Sequence, residues 1–175
     1  MDSIKIYIVV THTGSSLSKL IKYYSNSEFS HVSISLDEDL DKMYSFGRLN
    51  PYNPFWGGFV HEEIDNGTFK RFDETPAKVY EISITKKQYK KIEKSIKEFE
   101  KNKKDYKFNI IGLVGVAINK KIQFEKAFYC AEFVKYLLEN AGVENNLPDL
   151  ATPDDFKNLE NNHLVYEGLL KDYKI

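Results

Sequence analysis

Apolar and polar positions recur along this chain with two periods, and together they mark most of its elements. Ile4-Lys5-Ile6-Tyr7-Ile8-Val9-Val10 is a β-branched run that predicts a buried strand. Leu17, Leu20, Ile21 and Tyr24 fall at i, i+3, i+4 and i+7 and predict a helix, with Ser15 or Ser16 as its cap. From Phe29 to Leu36 apolar and small polar residues alternate. Phe29, His31, Ser33 and Ser35 share one face of a predicted strand, and Val32, Ile34 and Leu36 share the other. Lys42 to Gly47 reads as the return strand. Arg48 to Gly58 is a long irregular stretch with two prolines, the only tryptophan and a glycine pair. Phe59 to Ile64 predicts a strand, Asp65-Asn66-Gly67 a hairpin turn, and Thr68 to Phe72 its partner.

Lys78 to Ile84 alternates cleanly as the next strand. Thr85 and Gln88 form a capping box that opens a long helix with Tyr89, Ile92, Ile96 and Phe99 on its buried stripe. Asn109 to Ile118 is apolar and dotted with glycine, and predicts a helix buried under the sheet. Phe133, Val134, Leu137 and Leu138 form one stripe of a helix that begins near Cys130 and stops at Gly142. Thr152-Pro153-Asp154-Asp155 predicts a further helix start, and His163 to Glu167 a last strand. No repeat or linker divides the chain, so residues 1–175 are expected to form a single domain of the α+β class.

Charge narrows the partners. Twenty-five basic and 26 acidic residues leave a net charge of -1, with both signs interspersed on the long helix. Nothing here resembles a nucleic-acid footprint or a surface for anionic membranes. A lone cysteine cannot form an intramolecular disulfide and fits a reducing compartment. No signal peptide pattern is visible, and no apolar run approaches the ~20 residues of a membrane span, so a cytoplasmic location is expected.

That cysteine is also the first chemical candidate. Cys130 falls in the first turn of its predicted helix, where backbone N–H groups lack intrahelical partners and the dipole favours a thiolate. By itself the position also describes a buried structural cysteine, because free cysteine is among the most buried residue types. A base within reach would separate the two. His31 shares the polar face of its strand, whereas His12 lies on a loop and reads as solvated. A third polar group should orient the imidazole, and Glu62, Glu63 and Ser45 are the candidates. Alternation puts Glu62 with Val60 and Ile64, which makes it the more buried carboxylate. The backbone N–H of Cys130 plus one unidentified side chain, beside Tyr129, would form the oxyanion hole. Phe55 and Trp56 in the irregular stretch either cover a substrate cleft or plug the end of the core. The scattered histidines show no metal-ligand spacing, and no phosphate-cradling loop is present, so neither a metal nor a cofactor is expected.

Three motifs, in this order, carry a family likeness: Ser30-His31-Val32-Ser33-Ile34, Gly58-Phe59-Val60-His61-Glu62 and Tyr129-Cys130-Ala131-Glu132-Phe133-Val134. The chain resembles the circularly permuted, papain-like cysteine hydrolases of the NlpC superfamily, in particular the YiiX-like branch related to lecithin:retinol acyltransferase proteins. The histidine preceding the cysteine is the mark of the permuted order. The resemblance implies a papain-like core with an antiparallel, partly barrel-like sheet packed against the cysteine helix. It implies Cys130 as nucleophile, His31 as base and Glu62 as orienting acid. Trp56 and Phe55, from the aromatic stretch, and Tyr129, beside the cysteine, are the expected substrate contacts. Ala131 stands where many relatives carry serine, which removes one hydroxyl near the thiol. The implied activity is thiol hydrolysis of an amide bond in a small peptide or N-acyl substrate. Acyl transfer on the same site and a non-catalytic binding module are the alternatives.

Overall fold

The computed structural model describes residues 3–15, 19, 27–117 and 120–174, with the side chains at 54, 55, 113, 114, 116 and 117 outside that description. The helix expected around Leu17 to Tyr24 lies outside the described residues, and so does the Phe55 side chain.

Six strands form one antiparallel sheet. They are β1 (Ser3–Thr11), β2 (His31–Ser35), β3 (Met43–Asn50), β4 (Asn53–Glu62), β5 (Pro76–Thr85) and β8 (Asn162–Leu169), in the spatial order β4-β3-β2-β1-β5-β8. The sheet is open, with β4 and β8 at its edges, so the barrel-like closure expected from the family likeness is not formed. Both faces are nevertheless covered, which explains why β1 reads as a continuous apolar run. On one face, Ile6, Ile8, Val10, Val32, Ile34 and Phe46 pack under α2 (Lys86–Lys101) and α4 (Cys130–Ala141). On the other, Tyr7, Val9, Met43, Ala77 and Val79 pack with Leu40, Phe69 and Leu170.

Aromatic rings fill the first layer. Phe133 of α4 lies 5.1 Å from both Phe46 and Phe99, and all three are buried. The ends of the two helices follow their sequence signals. Thr85 accepts from Gln88 N–H at 3.2 Å while Gln88 accepts from Thr85 N–H at 2.8 Å. Gly142 takes φ +75° at the end of α4, the left-handed conformation in which glycine is unstrained.

Four segments depart from the sequence expectation. Arg48 to Gly58 is a hairpin rather than an irregular stretch: Gly57 pairs with Arg48 and Gly58 with Gly47, and Pro51 sits in the turn. Pro54 is tolerated because β4 is an edge strand, where a missing backbone donor costs little. Asn66 begins a short helix, α1 (Gly67–Arg71), instead of closing a hairpin. Its side chain accepts from Gly67 N–H at 2.8 Å, and the helical turn carries Phe69 into the second apolar layer. The glycine-dotted helix α3 (Ile110–Ala117) exposes Ile111 instead of lying wholly buried under the sheet, and its Gly115 carbonyl accepts from Lys120 N–H at 2.8 Å. Phe29 precedes β2 and packs in the first apolar layer rather than beside His31. Two short parallel strands, β6 (Lys107–Phe108) and β7 (Ala127–Phe128), lead into α3 and α4. Among the described residues no helix is long and apolar enough to cross a membrane.

Candidate active site

His31 opens β2, and its approach is fixed from both sides. Asp154, in the 3₁₀ turn Pro153–Asn158, accepts from the backbone N–H groups of Glu28 and Phe29 at 2.7 and 2.9 Å. Ser30 N–H donates to Thr11 O, and Ser30 Oγ is 3.1 Å from His12 Nδ1. The segment that delivers His31 is thereby tied to β1 and to the C-terminal part of the chain.

The ring then meets a carboxylate from the edge strand. His31 Nε2 lies 2.9 Å from Glu62 Oε1, and Ser33 Oγ donates to the other carboxylate oxygen. His31 and Ser33 occupy alternate positions of β2 on the face that Glu62 also presents, two strands away. In register Glu62 stands opposite Met43 of β3, so its carboxylate reaches diagonally over β3 to Ser33 and His31. Gly47 of β3 lacks a side chain and leaves room for the contact. A Cβ there would sit 3.3 Å from both Glu62 Oε1 and His31 Cε1. Of the three orienting candidates, Glu62 is the one that reaches the ring. Ser45 instead donates to Val32 O at 3.0 Å, and the exposed Glu63 accepts from Asn66 Nδ2 at 2.8 Å.

Cys130 is the first residue of α4 and is buried. The N–H groups of the first turn have no intrahelical acceptor, and Glu132 reaches back toward the Tyr129 N–H at 3.4 Å. The Cys130 thiol lies close enough to the His31 ring to help raise its pKa. Burial alone would lower the His31 pKa. The Glu62 charge, hydrogen bonds to Cys130 and Glu62 and the Cys130 charge raise it, and the balance pushes it from 6.5 up to about 10. The ring is therefore an imidazolium at neutral pH, flanked by sulfur and carboxylate.

The three expected chemical residues are thus brought together, whereas Trp56 stands apart from them. Trp56 lies on β4 with 60% of its surface exposed, so it does not plug the core. Tyr129 is buried, with burial followed by the Glu132 charge raising its pKa. Two site features escaped the sequence pattern. Ser33 was on the expected face, but its service to Glu62 depends on a strand two positions across the sheet. Thr11 lies directly opposite His31 in the β1–β2 register, is fully buried, and its hydroxyl has no hydrogen-bond partner among the described residues. Among the described residues no group of three or more His, Cys, Asp or Glu could hold a metal ion. No family model matches the chain, and neither a curated protein nor a solved structure matches it.

Proposed function

We propose that this protein is a thiol hydrolase that cleaves an amide bond, peptide or N-acyl, on a circularly permuted papain-like core. The observation that carries the proposal is the single imidazole bonded to a largely buried carboxylate and close to a helix-start thiol. Sulfur of Cys130 attacks the carbonyl carbon, and the carbonyl oxygen gains negative charge toward the Cys130 N–H. The His31 imidazolium gives its proton to the leaving nitrogen, the C–N bond breaks, and an acyl thioester remains. The neutral imidazole then takes a proton from water as that water attacks the thioester. The C–S bond breaks, the acid leaves, and the thiolate–imidazolium pair is restored. Glu62 keeps the ring oriented and offsets its charge throughout.

Water access separates hydrolysis from acyl transfer. Transfer calls for an enclosed acyl site, and the exposure of Trp56 supports hydrolysis. The test is alkylation of Cys130 by iodoacetamide between pH 6 and 9, followed by mass spectrometry. The wild type is expected to label at the acid end of that range, and His31→Ala to lose that labelling. A release burst from p-nitrophenyl acetate, absent in Cys130→Ala, would accompany it. Identical labelling profiles in wild type and His31→Ala would leave a binding module on this scaffold as the better account.

A further inference from the structure

Two guanidinium groups stand at the His31 end of the sheet without a counter-ion among the described residues. Arg48 follows Gly47 on β3, and its Nη2 donates to Ser15 Oγ in the segment after β1. Since β2 lies between β3 and β1, the side chain bridges the sheet end at which β2 begins with His31. Its guanidinium carbon is 5.7 Å from the centre of the Phe72 ring. Arg71 lies 5.2 Å from that same ring and 4.1 Å from the Tyr52 ring, and donates to Pro51 O at 2.7 Å. Among the described residues neither arginine forms an ion pair. Each guanidinium has five N–H donors, and one hydrogen bond apiece uses few of them. Burial and the charge of Arg71 both lower the Arg48 pKa from its ordinary value, so the arrangement is costly as it stands.

A cleft of about 160 Å³ runs alongside. Arg48, Leu49 and Phe69 line it together with Glu62, the partner of His31. We propose that Arg48, assisted by Arg71, seats a carboxylate of the substrate, so that the hydrolase acts on acyl or peptide compounds that bear a free carboxylate near the scissile bond. A planar carboxylate matches the guanidinium fork. A dianionic phosphate would be repelled by Glu62 and Glu63 on the cleft wall, which favours the singly charged group. The substrate role rests on the hydrolase proposed above, but the anion seat does not require turnover.

The seat is therefore tested in Cys130→Ala protein with N-acetylglycine and its neutral isostere N-acetylglycinamide, titrated by NMR on the arginine side-chain Nε–H signals. Saturable binding of the acid is expected, with the amide weaker by about tenfold or more. Adding Arg48→Gln abolishes the difference, Arg48→Lys keeps part of it, Arg71→Gln reduces it, and salt weakens the acid alone. Equal affinity for acid and amide overturns the proposal, as does no binding of either, tighter binding of inorganic phosphate, or an Arg48→Gln protein that binds like its parent. A turnover arm compares p-nitrophenyl hydrogen glutarate with its methyl ester on wild-type Cys130. Arg48→Gln should lower kcat/KM by about tenfold for the acid only. A protein that binds the acid selectively but turns over neither ester would sink the hydrolase and leave the seat.

Discussion

Glu62→Gln keeps the shape of the side chain and an oxygen acceptor but removes the charge beside His31. The rise from 6.5 to about 10 corresponds to roughly 5 kcal/mol of preference for the charged ring. Coulomb's law gives the same scale: unit charges 2.9 Å apart attract by about 6 kcal/mol at an effective dielectric constant of ~20. Because the folded pKa lies above the unfolded one, this stabilisation is fully present below pH 6.5 and is lost as pH rises through about 10. Glu62→Gln should thus cost about 3–4 kcal/mol near pH 7, and the cost should shrink toward zero above about pH 10. Urea denaturation of both proteins from pH 6 to pH 10.5, with the His31 ring followed by NMR over the same range, measures the effect and its origin. A penalty that does not change with pH, or a wild-type His31 that titrates near 6.5, refutes the reasoning.

Three further outcomes follow from named contacts. Gly47→Val places methyl groups against Glu62 Oε1 and His31 Cε1 and should abolish His31-dependent labelling of Cys130. Gly58→Ala, whose tightest contact is the end of the Leu49 side chain at 3.3 Å, should leave that labelling intact. Thr11→Val replaces an unpartnered buried hydroxyl with a methyl and should raise stability by about 1 kcal/mol in urea; a loss of that size would show that the hydroxyl has a partner. Phe133→Ala opens a void among Phe46, Phe59 and Phe99 and should cost about 3–5 kcal/mol, read as a lowered midpoint in urea. A cost under about 1 kcal/mol would mean that the aromatic layer is not the centre of the core.

Local patterns located most of the elements, because period and capping are properties of neighbouring residues. The Thr85–Gln88 box, the Gly142 stop and the alternation of β2 could be read without knowing the fold. Two segments failed for a shared reason. In Arg48 to Gly58, prolines and glycines read as loop, yet an edge position excuses Pro54 and close packing on Phe108 requires Gly57. At Asn66, a turn-forming tripeptide opened a helix because Phe69 gains burial in the second apolar layer. In both, a partner remote in sequence outweighed local preference.

The sequence by itself determined that Cys130 begins a helix, that His31 shares a face with Ser33, and that Glu62 alternates away from Glu63, since each follows from backbone geometry within one element. Only the tertiary structure decided that these residues meet. The Glu62 side chain crosses β3 beside Gly47 to reach the ring, and the packing of α4 on β2 and β3 brings the Cys130 thiol near it. It decided likewise that Arg48 and Arg71 stand over one ring, Phe72, with no ion pair to either among the described residues. Contacts between strands and helices distant in the chain depend on how whole apolar faces pack, and no window of neighbouring residues contains that information.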